Sequence, residues 1–427
     1  MSSAFSQFDA IFNILIIVTV ITLAARRFRF PSTIALIFAG LASTFTTSFP
    51  LPNLGPDVFI SVLLPPILFQ EALHLDIDGL IDDSDTILSY ALAGTLFMMV
   101  AVALFAYFVS GFSVTEAFLL GIIIAPTDPV AVIATFRSLG VIKRFQLLVA
   151  GESLFNDGIA IVIYTILVSI VIEGTVSASD VLRMSFVSVV GGILLGIASG
   201  YVAHILLCWT DDKFGEVLLS FISAFGVFRL AEELGASGVI ATVLTGLIIN
   251  YRTRNYGGLE VESRENLATL WDFVGFTASS VAFIFIGMNL DPSIMVKYLG
   301  PVVGLTFFVL FARYLMVEVI AEAMGRISGK RIPRNWKLGI FWSGLRGAVS
   351  VVLVLGVGSL SLPNAEGMTA LTFGVVLASN LIQGLTMSQA VQRLGLSTGE
   401  PPPSERKGAE GQQETPKETI HSPPDKS

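Results

Sequence analysis

The sequence is 427 residues long, 53% hydrophobic and only 14% charged, with a mean hydropathy of +0.78. Soluble domains carry about 25% charged residues, so this composition excludes an ordinary cytosolic enzyme and a disordered chain, and the net charge of −8 argues against a nucleic-acid partner. One cysteine, Cys208, leaves no disulfide framework, and three scattered histidines, His74, His204 and His421, make no histidine metal site. The class that remains is an all-α polytopic membrane protein, whose few intramembrane charges carry the functional information.

A helix that spans a bilayer takes about 20 mostly apolar residues. Breaking the chain at Gly, Pro and charge clusters gives about thirteen such stretches, at roughly 8–25, 31–48, 56–73, 86–110, 115–137, 147–173, 184–209, 214–233, 236–251, 267–289, 299–325, 337–358 and 367–392. The opening MSSAFSQFDA has no basic region and no cleavage site, so the first stretch reads as an uncleaved helix. The transmembrane unit is expected over 1–392. From 393 to 427 the chain is rich in Pro, Glu, Ser and Lys and poor in apolar residues, and reads as a disordered tail.

Lys and Arg set the orientation. With the N-terminus outside, the cytoplasmic loops and the tail hold about 20 of them, and the outer loops hold 3: Arg183, Arg229 and Lys297. The N-terminus is therefore expected outside and the C-terminus in the cytoplasm. Two basic residues fit no loop. Arg313 and Arg346 lie inside apolar stretches, where a charge costs at least about 2.5 kcal/mol and needs a partner and a purpose.

Three acids, Asp128, Glu152 and Asp157, also lie deep in apolar runs. Asp128 stands in Gly121-Ile-Ile-Ile-Ala-Pro-Thr-Asp-Pro-Val130. Pro126 and Pro129 remove backbone donors, so the carbonyls of Ile122 and Ala125 lose their helix partners. A helix broken at membrane depth is tolerated where it lines a protein cavity. Such breaks are how transporters assemble ion sites, and Thr127 and Asp128 sit at this one. The plain alternative is a proline kink with a capping Thr-Asp pair.

Glu152 and Asp157 stand in Gly151-Glu-Ser-Leu-Phe-Asn-Asp-Gly158. Ser153 and Asp157 are four apart on one helix face, with Glu152 and Asn156 on the adjacent stripe. Their oxygens suit a hard cation. Arg346 stands in Phe341-Trp-Ser-Gly-Leu-Arg-Gly-Ala-Val-Ser350, where Gly344 and Gly347 loosen a second helix. Arg346 has two readings there, neutralising half-helix C-terminal dipoles or pairing with Asp128. Arg313 has Glu152 as its natural partner. A purely structural ion pair remains compatible with either arginine. The two interrupted helices are about the fifth and the twelfth, matching positions in two six-helix repeats (about 8–173 and about 214–392). Paired interruptions of this kind imply inverted repeats and secondary transport.

At these residues the chain resembles the monovalent cation:proton antiporters, in their NhaP-like sodium/proton exchanger branch. The motifs are Ala125-Pro-Thr-Asp-Pro129, Gly151-Glu-Ser-Leu-Phe-Asn-Asp-Gly158 and Ser343-Gly-Leu-Arg-Gly347. Leu64-Pro-Pro-Ile-Leu-Phe69 and Ala236-Ser-Gly-Val-Ile-Ala-Thr-Val-Leu-Thr-Gly246 support them. The resemblance implies a thirteen-helix inverted-repeat fold with crossed unwound helices, a core domain, a dimerisation domain and a homodimer. It implies that Asp157 carries the ion and the proton, with Ser153 and the Thr127 region supplying further oxygens to Na+. Asn156 would complete the Asn-Asp pair that goes with electroneutral exchange, Asp128 would sit at the crossing near Arg346, and Glu152 would pair with Arg313. Phe69-Gln-Glu71 matches the acidic pattern at that point only loosely.

The expected activity is exchange of Na+, with Li+ as a further candidate, for H+ by alternating access, both ions competing for Asp157. No cofactor is called for. The expected surroundings are the lipid bilayer of the plasma membrane. A K+/H+ antiporter and a cation channel are the nearest alternatives. An intramembrane aspartyl protease lacks its Gly-x-Gly-Asp arrangement, and neither a GxSxG elbow nor a Walker loop appears.

Overall fold

In hydrocarbon every backbone N–H and C=O must find its partner within the protein, and a long apolar run achieves this by closing helical hydrogen bonds along itself. The computed structural model describes residues 2–28, 30–45, 59–174, 177–210, 212–257, 259–358 and 360–397. Among these residues the chain is almost wholly helical, and the one β feature is a bridge between Val141 and Ser397. The helices that place the site are α1 (Ser2–Arg27), α2 (Ser32–Ser43), α3 (Phe59–His74), α4 (Ser84–Phe108), α5 (Val114–Ile124), α6 (Val130–Ser138), α7 (Lys143–Glu173) and α8 (Ala178–Cys208). The second half continues with α9 (Lys213–Glu233), α10 (Gly238–Asn255), α11 (Val261–Met288), α12 (Leu299–Ile327), α13 (Arg334–Trp342), α14 (Ala348–Val357) and α15 (Ala365–Arg393).

Each expected stretch falls on one of these helices or on a broken pair of them. Seven, namely α4, α7, α8, α9, α11, α12 and α15, are long and apolar enough to cross a membrane unaided. The junction of the second and third expected stretches, 46–58, lies outside the described residues, as does the expected tail from 398 to 427. The breaks fall where the prolines and glycines predict them, between Ile124 and Val130 and between Trp342 and Ala348.

Two kinds of contact fix the frame around the site. The first is close backbone packing. Gly192, Gly196 and Gly200 form a stripe on α8 that lies directly on α10. A Cβ at Gly196 would stand 2.7 Å from the Ala241 carbonyl and 2.8 Å from Leu244 Cβ, and one at Gly200 would stand 2.7 Å from Ile248 Cβ. Small residues at such a seam let two helices approach closely where lipid gives no hydrophobic drive. The Thr245 hydroxyl adds a hydrogen bond to the Gly196 carbonyl at 3.2 Å.

The second is a charged clasp at one end of the bundle. Arg144 donates to both Asp83 oxygens at 2.6 Å, and Lys330 donates to Asp85 at 2.8 Å. It joins the start of α7 to the start of α4 and to the α12–α13 connection. Packing continues past the expected tail boundary. Leu396 is buried, its carbonyl accepts from Ile142 N–H at 3.0 Å, and the Ser397 hydroxyl donates to the Leu139 carbonyl at 2.8 Å. Residues 393–397 are thus part of the folded unit, which corrects the boundary read from composition.

Candidate ion-binding site

The two broken helices cross at their breaks and supply each other's missing hydrogen bonds. Asp128 N–H donates to the Leu345 carbonyl at 2.8 Å. Arg346 Nη1 donates to the Ala125 carbonyl at 2.6 Å and the Pro126 carbonyl at 3.1 Å. The Ala125 carbonyl is one of the two that proline orphans, so a guanidinium takes the place of a backbone donor. Of its two readings, Arg346 thus serves the half-helix C-terminus; the Asp128 carboxylate is held instead by Val130 N–H at 2.9 Å. Asn380 Nδ2 and the Ser379 hydroxyl hold the Arg346 backbone from α15. At Gly347 a Cβ would overlap the Asp128 carboxylate, so only glycine lets the two breaks come this close.

Asp157 lies close to the midpoint of α7, a 31-residue helix about 46 Å long. It is 5% exposed, and its Oδ1 has no hydrogen-bond partner. It faces a small cavity of about 20 Å³ also lined by Glu71, Thr127, Asp128, Ser279 and Ser350. That is room for about one water-sized species.

Behind the cavity wall, Thr127 is clamped from α7. The Ser153 hydroxyl donates to the Thr127 carbonyl at 2.5 Å, Asn156 Nδ2 donates to Thr127 Oγ1 at 2.9 Å, and Thr127 N–H reaches Asn156 Oδ1 at 3.4 Å. Ser153 and Asn156 therefore orient Thr127 rather than line the cavity themselves. Glu152 lies apart from it. Both Glu152 oxygens are held by Arg313, at 2.5 and 3.0 Å, and Arg313 also donates to the Ile340 carbonyl at 3.2 Å. Glu152, expected both as Arg313's partner and as a cation ligand, is held by Arg313 through both oxygens and is absent from the cavity lining.

Two lining residues, Ser279 and Ser350, escaped the sequence reading, and a third, Glu71, entered it only as a loose match. Glu71, on α3, has a buried and unpartnered Oε2, and it borders both the small cavity and a larger one. Its signal, an acid inside LLPPILFQEAL, is of the same kind that singled out Asp157. Ser279 and Ser350 gave no signal, because hydroxyls are common on apolar helices. The larger cavity, about 370 Å³, opens past Gln70, His74, Arg137, Lys143 and Asp272 at the end of the bundle that carries the Arg144–Asp83 clasp. Toward the opposite end α7 is covered by α10. Gly158 packs on Val239 and Ile240 of α10, and a separate cavity of about 500 Å³ begins beyond, beside Ile161, Thr165 and Glu232. Among the described residues no three His, Cys, Asp or Glu side chains converge as a metal-holding cluster.

A crossed pair of broken helices beside a buried, unpartnered carboxylate is an architecture that can be compared. Residues 14–393 match the family described as "Sodium/hydrogen exchanger, transmembrane". The chain belongs to this family. It is 32% identical over 381 residues to the low-affinity Na+/H+ antiporter NhaS1 of Synechocystis, covering 87% of this chain and 71% of that one. It is 33% identical over 353 residues to the Na+/H+ antiporter NhaP of Pseudomonas aeruginosa, covering 79% and 81%. The solved structure of the sodium proton antiporter MjNhaP1 from Methanocaldococcus jannaschii superposes with a TM-score of 0.75 at 18% identity, over 92% of this chain and 99% of that one. The fold is that of the NhaP-like antiporters, and the chain is an integral membrane protein of a transporter family.

Proposed function

We propose that this exchanger moves Na+ against H+, one for one and without net charge, with Asp157 as the carboxylate that both ions use. The observation that carries the reading is Asp157 itself, buried near the midpoint of a membrane-length helix with an unpartnered oxygen facing a one-ion cavity. A single carboxylate cannot hold a proton and a cation at once, so each displaces the other. If the core crosses with either ion and not with the bare carboxylate, exchange is obligatory. One titrating charge, with the neutral Asn156 beside it, returns the same charge in each half-cycle.

The Thr127 oxygens, held in place by Ser153 and Asn156, and the Ser279 and Ser350 hydroxyls are the uncharged oxygens that border the cavity, and Asp128 and Glu71 add negative potential. Alternating access fits a site that adjoins the larger cavity toward one end while Gly158 packs on Val239 and Ile240 toward the other. The excess of Lys and Arg at the open end favours a cytoplasmic opening in the plasma membrane, with the N-terminus outside. The exposed apolar face of α8, with Leu182, Phe186 and Leu194, suits lipid or a second copy in a homodimer.

The test is exchange in proteoliposomes. Wild-type protein should couple Na+ and H+ fluxes, with a rate unaffected by an imposed membrane potential, and parallel assays with Li+ and K+ define selectivity. Asp157→Asn should abolish exchange in a protein that still folds. Full exchange by that variant overturns the assignment of Asp157, and a potential-driven rate overturns electroneutrality.

A further inference from the structure

A serine or threonine on a helix commonly spends its hydroxyl on the carbonyl four residues back. Thr245, Thr306 and Thr369 do so here, each at 2.8 Å. Ser350, on α14, does not. The residue four back is Arg346, which lies in the break between α13 and α14 rather than on the helix. Its carbonyl accepts instead from Asn380 Nδ2 at 2.9 Å. The helix break thus deprives Ser350 of its ordinary partner. Ser350 is 1% exposed, and its Oγ has no hydrogen bond among the described residues. A buried hydroxyl left in this way needs a reason.

The reason lies in the space it borders. Ser350, Asp157 and Glu71 line the same small cavity, and each carries an unpartnered oxygen: Ser350 Oγ from α14, Asp157 Oδ1 from α7 and Glu71 Oε2 from α3. None of these three oxygens hydrogen-bonds to another, so a single species between them can serve all three. A proton bonds to one carboxylate oxygen, whereas a hard cation gathers several oxygens at once. Thr127 Oγ1, by contrast, already accepts from Asn156.

We propose that the Ser350 hydroxyl is a ligand of the transported cation, supplied by the second broken helix, so that bound Na+ ties α14 to α7 and α3 across the crossing. The identity of the ion rests on the exchange reading; the choice of residue rests on the orphaned hydroxyl. A proton on Asp157 has no use for an oxygen from α14, so Ser350 strengthens the cation's side of their competition and not the proton's. Removing one neutral oxygen from the cation should weaken its binding by about tenfold.

The experiment compares full-length wild type, Ser350→Ala and Ser350→Cys. It measures KM and kcat for Na+ in proteoliposomes, melting in detergent with and without Na+, and equilibrium binding of radioactive Na+. Ser350→Cys fills the same space with a soft sulfur that a hard cation does not favour. Both variants are expected to raise KM by about tenfold with kcat held within about twofold. Melting without Na+ should stay within about 1 °C of wild type, because no hydrogen bond is lost. The Na+ concentration that raises melting should move up by the same factor of about ten. A wild-type KM in Ser350→Ala overturns the proposal. So does a wild-type KM in Ser350→Cys, which makes the residue a filler of space, and so does a lower melting point without Na+, which reveals a structural partner. The binding assay keeps this assignment apart from the exchange reading. A tenfold weaker Kd in Ser350→Ala, from protein that couples no proton flux, sinks the exchange reading and sustains Ser350 as a ligand. Coupled exchange with an unchanged Kd does the reverse.

Discussion

The Glu152–Arg313 pair can be dissected quantitatively. Both side chains are 4% exposed, the two groups share two hydrogen bonds, and Arg313 carries a third to the Ile340 carbonyl. Glu152→Gln leaves a guanidinium uncompensated where water does not reach, a cost of about 3–5 kcal/mol. Arg313→Met strands the carboxylate and leaves the Ile340 carbonyl with the Ser343 hydroxyl in place of two side-chain donors, adding up to about 1 kcal/mol. The double variant contains no buried charge and should lose less than either single one, so the coupling energy exceeds the larger single loss and is at least about 4 kcal/mol. For a chain of this length 1 kcal/mol moves the melting temperature by about 1–2 °C. Thermal unfolding in detergent, followed by tryptophan fluorescence, should therefore fall by about 3–10 °C in each single variant and recover at least half of that in the double. The charge swap Glu152→Arg with Arg313→Glu should recover less, because a carboxylate then faces the Ile340 carbonyl. Single variants within about 1 °C of wild type, or losses that simply add, would refute this account of the pair.

Gly347→Ala drives a methyl group into the Asp128 carboxylate and should cut exchange in liposomes by more than about tenfold while the helices persist by circular dichroism. Asn156→Ala releases both bonds to Thr127 and should raise the KM for Na+ by about tenfold, one tenfold step per 1.4 kcal/mol of lost orientation, read in the same assay. Arg346→Lys keeps the charge but not the planar fork, so one of the Ala125 and Pro126 carbonyls loses its donor and melting should fall by a few degrees. Gly196→Leu places a side chain where Ala241 and Leu244 already stand, and should lower the yield of folded protein on size-exclusion chromatography.

What was legible in the sequence was whatever is costly in lipid. Broken helices at Pro126, Pro129, Gly344 and Gly347, and charges at Asp157, Glu152, Arg313 and Arg346, stand out because an apolar stretch has no neutral reason to hold them. What was not legible is which oxygen points where. Ser153 shares a helix face with Asp157, yet its hydroxyl turns to the Thr127 carbonyl, a partner 26 residues away that helical spacing alone cannot reveal. Arg346 had two compatible roles in sequence, and only the crossing of the breaks decides between them. Glu71 entered only as a loose match to an acidic pattern, although an acid inside LLPPILFQEAL is as costly in lipid as Asp157. The composition of the tail marked where apolar residues become scarce, but a single buried leucine, Leu396, is enough to pin the chain a few residues further.

The mutual capping of the two breaks also bears on how the protein is made. The Ala125 carbonyl and the guanidinium that satisfies it are 221 residues apart. At about 5–20 residues per second of synthesis, the first half waits roughly 10–40 s in the membrane before Arg346 emerges. During that interval the Asp128 break has neither the Leu345 carbonyl to donate to nor Arg346 to accept from, and unmet backbone groups in lipid cost several kcal/mol each. The first half is therefore an assembly intermediate without a stable end state of its own. A ribosome stalled before Gly347, or a chain cut in the α8–α9 connection and supplied as one piece, should be recognised by membrane quality control as unfinished.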